Sequence, residues 1–158
     1  MNMESFEDIK ILMDNFDPAA LLPDLTSVVG VVEFIARIAV LSGPVVLLGL
    51  GLAYFFLSPK EANHHFGYRC YFGMGSVEAW RFTQHLAGLV WGVLGLGLTL
   101  VMLLITGGFG GKEIMDIIGS GFTCMVWEAV LVILSSLGIN ILVMLCFDKD
   151  GNRRSRIQ

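Results

Sequence analysis

The residues best suited to chemistry lie between Pro59 and Gly88, in PKEANHHFGYRCYFGMGSVEAWRFTQHLAG. This stretch holds all three histidines, His64, His65 and His85, together with Cys70. Imidazoles and thiolates are zinc ligands, but local zinc motifs space them so that two side chains reach one ion. His64 and His65 are adjacent and cannot easily chelate a single ion, and Cys70 lacks a second thiolate nearby. A metal site is therefore not expected. A nucleophilic pair of Cys70 with a histidine would need an oxyanion hole and an orienting acid, and no pattern in the chain supplies them. The chain is expected to be neither an enzyme nor a cofactor binder.

A second set of candidates is sparse: Glu33 and Arg37, one helical turn apart, and Glu128, each bordering a long apolar run. An ionisable residue at membrane depth is costly, up to about 3 kcal/mol if unpaired, so it pairs, meets water or serves a function. Two arrangements are open. Glu33 and Arg37 can form an i,i+4 pair at the interface, or Arg37 can bridge to Glu128 across a bundle. The second arrangement would make an outward-facing polar pocket for a peptide, a lipid headgroup or an ion.

The elements that position these groups follow from hydropathy. Of 158 residues, 55% are hydrophobic and 15% charged, with a mean hydropathy of +0.74. Soluble domains carry nearer a quarter charged residues. Residues 38–57 and 86–105 are each twenty residues without a charge, and 129–147 are nineteen. About twenty apolar residues cross a hydrocarbon core of about 30 Å. An all-α membrane protein with three transmembrane helices is predicted, with 59–85 as the connecting loop. Residues 114–124 are too short and too rich in glycine and charge to count as a fourth span.

Basic residues set the orientation. The 59–85 loop has Lys60, Arg69 and Arg81, and the tail has Lys149, Arg153, Arg154 and Arg156; the opposite segments have Lys10 and Lys112. The positive-inside rule places loop and tail in the cytoplasm and the N-terminus outside. An N-terminal segment (1–25), a membrane domain (26–147) and a basic tail (148–158) result. In the first of these, Phe6, Ile9, Met13 and Phe16 recur at helical spacing, predicting a short amphipathic interfacial helix. Its acidic start lacks the basic n-region of a cleavable signal. A net charge of −4 argues against a nucleic-acid partner.

On the second span Gly88, Gly92, Gly95 and Thr99 share one face, where small residues admit another backbone closely. That face can pack within the bundle or form a seam to another membrane protein. Gly107 to Glu113, GGFGGKE, lacks phosphate-loop spacing and is expected to be a flexible external turn. Ser76 can cap a helix starting at Val77, with Glu78 in its first turn.

Asn63, Gly67-Tyr68-Arg69, Ser76, Glu78, Trp80 and Gly88 stand in an order and spacing that resembles the SdpI family. These are bacterial membrane proteins named for an immunity protein against a secreted killing peptide. Cys70 stands where the family pattern has threonine, and the resemblance spans about 59–105. It implies a non-enzymatic role in immunity to, or sensing of, a secreted peptide on the outer face of a bacterial cell membrane. It also implies that the motif loop docks a cytoplasmic regulator, as the namesake captures a repressor. An accessory subunit of a larger membrane complex, or a small transporter using Glu128, are the alternative expectations; membrane lipid is a partner in all three.

Overall fold

The computed structural model describes residues 25–62 and 65–154. Three long helices account for most of them: α1 (Leu25–Phe56), α2 (Val77–Gly107) and α3 (Ile114–Cys146). A short 3₁₀ turn, Phe72–Met74, precedes α2. The expected N-terminal helix falls outside the described residues. With 31 to 33 residues each, all three helices are long and apolar enough to cross a membrane. At 1.5 Å per residue they reach about 45–50 Å, so their ends extend past the hydrocarbon core.

Each helix is longer than the uncharged run that predicted it, and the third differs most. Residues 114–124, dismissed as a span of their own, are the first third of α3, and Glu128 lies inside that helix rather than ahead of it. A span read from an uncharged window stops at the first carboxylate. A helix does not, because its backbone hydrogen bonds close within the segment whatever the side chains are.

Large apolar side chains cover the outside, among them Phe56 (72% exposed) and Leu104 (80%). This is the surface expected of helices facing lipid. Inside are two clusters. Val40, Leu47, Leu98, Met102 and Cys124 fill one half. Tyr68, Ala79, Ala87, Ile139, Val143 and Phe147 fill the half beside the motif loop.

The most extensive contact is between α1 and α2. A methyl group on Gly51 would fall within 3.0 Å of the backbone of Gly92, one on Gly95 within 3.0 Å of Leu48 backbone, and one on Gly88 2.7 Å from the Phe55 nitrogen. The glycine face of α2 therefore lies against α1 of the same chain. The turn between α2 and α3, expected to be slack, is anchored: Phe109 is fully buried, and Lys112 Nζ sits 5.9 Å from its ring centroid.

Candidate functional site

The motif loop folds back onto the start of α2. Ser76 adopts extended backbone (φ −151°) and its Oγ accepts the Ala79 N–H at 3.1 Å, so it is the N-cap. One turn on, Trp80 is fully buried and donates its indole N–H to the Pro59 carbonyl at 2.9 Å. This ties the exit of α1 to the entrance of α2. Gly67 (φ +123°) passes directly over the Trp80 ring, where a methyl group would come within 2.7 Å of two ring carbons. Only glycine suits both that backbone conformation and that clearance.

Tyr68 is the centre of the arrangement. Its backbone N–H donates to Gln84 Oε1 (2.8 Å), and its carbonyl accepts from Gln84 Nε2 (2.7 Å). One side-chain amide thus pairs with both polar groups of one residue, as a neighbouring strand would. The Tyr68 hydroxyl reaches α3, donating to the Ser136 carbonyl or Asn140 Oδ1, each 3.1 Å away. Its ring meets Trp91 edge-on at 5.3 Å. Burial raises the hydroxyl pKa, so Tyr68 stays a neutral donor. Cys70 packs with Thr83 and Gly73, and burial likewise pushes its thiol up.

Gln84 had no assigned role in the sequence, although it stands four residues after Trp80 within the motif stretch. Its signal was there: a polar residue sharing the Trp80 face of a helix at the edge of an apolar run. The other motif residues divide. Arg69 and Glu78 are exposed, and Asn63 with His64 lies outside the described residues. His65 is exposed, and His85 holds the Arg81 carbonyl at 2.8 Å while stacking edge-on to Phe55.

The tail after α3 closes over the same end. Phe147 pairs with Arg153 in an isolated bridge, and Asp148 Oδ1 accepts the N–H groups of Asp150 (3.0 Å) and Asn152 (2.8 Å). Those bonds, that of Asn152 foremost, hold the carboxyl below the usual aspartate range. Gly151 (φ +76°) lies against Gly75, and its carbonyl accepts Ser76 Oγ–H at 2.7 Å. Ser76 thus caps α2 and latches the tail. Ser76→Ala should cost about 1 kcal/mol, read by thermal unfolding, and should speed amide exchange over 148–154. Glu78→Gln, which loses only an exposed 3.6 Å pair with Arg153, should change stability by less than about 0.5 kcal/mol. Equal effects would refute the latch.

The three polar candidates of the membrane domain separate. Arg37 Nη2 pairs with Glu33 Oε1 on the same face of α1, and Glu33 lies beside Gly110 in the α2–α3 turn. Glu128 is elsewhere, as the fifteenth residue of the 33-residue α3. It is 8% exposed, and its Oε2 lies where a methyl group on Gly43 would be, 2.7 Å away. Its other oxygen, Oε1, is buried without a hydrogen-bond partner among the described residues, as are Trp91 Nε1 and Arg37 Nε. The ion pair that Arg37 makes among the described residues is therefore the i,i+4 one, and Glu128 lies beside Gly43, six residues farther along α1.

Among the described residues no group of three or more His, Cys, Asp or Glu could hold a metal ion. Among curated proteins and among solved structures nothing matches the chain. A family model does match, over residues 60–146, covering the motif loop, α2 and all of α3. The chain, with three helices able to span a membrane and the loop of that family latched across one end, belongs to the SdpI/YfhL protein family.

Proposed function

We propose that this multi-pass membrane protein gives a bacterial cell immunity to, or senses, a secreted antimicrobial peptide. The observation that carries the reading is family membership over residues 60–146. The N-terminus lies outside and the C-terminus in the cytoplasm, because the motif loop and tail hold most of the basic residues. In this orientation the Glu33–Arg37 pair, beside the α2–α3 turn, is the polar feature on the outer side that a cationic or amphipathic peptide meets. The motif loop and latched tail form the inner surface, and a cytoplasmic regulator docks there. The role is non-enzymatic, in keeping with a Cys70 thiol raised by burial.

Expression of the chain in a sensitive host should raise the peptide concentration needed to kill it several-fold. Arg37→Ala should lower that tolerance while membrane levels of the protein stay the same. Killing curves that do not shift across a panel of secreted peptides would remove the reading. A second reading, a small transporter, is favoured by one observation: a buried carboxylate, Glu128, in the middle of a membrane-spanning helix.

A further inference from the structure

Glu128 lines a cavity of about 480 Å³ between the helices. A water molecule occupies about 30 Å³ of liquid, and sites for small organic ligands run from about 300 to 1,000 Å³. The cavity therefore fits an organic molecule better than a lone ion. It lies in the middle of the bundle. Gly43 is the nineteenth residue of 32 in α1, Trp91 the fifteenth of 31 in α2, and Glu128 the fifteenth of 33 in α3.

Its walls are almost wholly apolar, and the polar groups on them are few. Ser42 Oγ is committed to the Ala39 carbonyl at 2.8 Å. Among the described residues two polar side chains are left: Glu128, whose buried Oε1 has no partner, and Trp91, whose buried indole N–H has none either. Among the described residues no lysine, arginine or histidine lines the cavity. A carboxylate in such a place needs either a proton or a cation brought in by an occupant. The indole can only donate, so it needs an acceptor. Val46 and Ile133, two of the lining residues, are each 59% exposed on the lipid-facing surface. The occupant can therefore enter sideways from the membrane.

We propose that this cavity binds a lipid-soluble aliphatic amino alcohol. Its ammonium donates to Glu128, its hydroxyl oxygen accepts the Trp91 N–H, and its hydrocarbon chain fills the apolar remainder. Plain acyl chains can enter any lipid-facing cavity, but an ammonium meets both the charge of the carboxylate and its unpartnered oxygen. The site rests on the cavity alone and holds whether the chain protects against a peptide or moves a solute.

The test is calorimetric titration of the full chain, in nanodiscs of zwitterionic lipid, with 2-aminododecan-1-ol, dodecylamine and dodecan-1-ol. The amino alcohol should bind saturably at one site per chain, dodecylamine several-fold more weakly, and dodecanol without saturation. Glu128→Gln should weaken the amino alcohol at least tenfold. Trp91→Phe should remove the advantage of the amino alcohol over dodecylamine and leave dodecylamine itself unchanged. The Trp91 comparison stands even if Glu128→Gln fails to fold. Saturable dodecanol binding as tight as that of the amines, or wild-type affinity in Glu128→Gln, would overturn the proposal. Peptide tolerance is not read in this experiment, so a failure here leaves that reading to its own test.

Discussion

Gln84→Leu is expected to destabilise the bundle by about 2–4 kcal/mol. Leucine is close to glutamine in size, so the substitution removes little packing. What it removes is the amide that takes the Tyr68 N–H and gives to the Tyr68 carbonyl, at 2.8 and 2.7 Å. Each buried polar group left without a partner costs about 1–3 kcal/mol, and Gln84 is fully buried. The loss should spread. With the clamp gone, the Tyr68 ring loses its setting between Trp91 and Asn140, and amides over 65–75 should exchange faster. Arg81→Ala, on the exposed side of the same helix, should change stability by no more than about 0.5 kcal/mol. Thermal unfolding in a mild detergent separates the two. A Gln84→Leu loss as small as that of Arg81→Ala would mean that water satisfies Tyr68 and that the clamp is incidental.

How far the sequence discloses this arrangement depends on the kind of signal. Three apolar runs disclosed three spanning helices, since burial in lipid leaves a strong, length-specific mark. The Ser76 cap was visible because capping is local: one side chain and the N–H three residues on. Helical spacing marks Gln84 as a polar residue on the Trp80 face, but its partner lies sixteen residues away on the backbone of Tyr68, and no periodicity names that partner. The latch of Ser76 onto Gly151 spans 75 residues, and only the fold brings them together.

Glu128 was found but misplaced. An uncharged window ends at the carboxylate, and the bridge from Arg37 to Glu128 that the sequence leaves open requires the two to lie level, facing outward. The fold sets Glu128 beside Gly43 instead, six residues and about 9 Å farther along α1 than Arg37. The change of depth changes the chemistry. At the boundary, water and snorkelling neighbours can solvate a carboxylate. At mid-bundle, beside Gly43 and an apolar cavity, its charge has to be met by a proton or by what the cavity holds.

The glycine seam gives an expected result whose sign changes within one motif. Gly88, Gly92 and Gly95 share a helix face, yet their missing side chains meet different surroundings. A methyl group at Gly95 falls within 3.0 Å of Leu48 backbone and one at Gly88 within 3.0 Å of Phe55 backbone, while one at Gly92 meets nothing within 4 Å. Backbone cannot swing aside, so Gly95→Ala must push α1 and α2 apart at the closest part of the bundle. Overpacking of this kind costs about 1–3 kcal/mol, against about 1 kcal/mol gained from helix propensity. The net expectation is a loss of up to about 2 kcal/mol, rising with Gly95→Leu. Gly92→Ala gains the propensity without the clash and should stabilise by up to about 1 kcal/mol. Gly51 on α1 behaves like Gly95, because a methyl group there would run into the Gly92 backbone. Unfolding of Gly51→Ala, Gly92→Ala and Gly95→Ala side by side tests the geometry. If all three shift in the same direction, the helices are not held at this distance; a rise for Gly92→Ala with falls for the other two identifies Gly51 and Gly95 as the contact that sets how closely α1 and α2 approach.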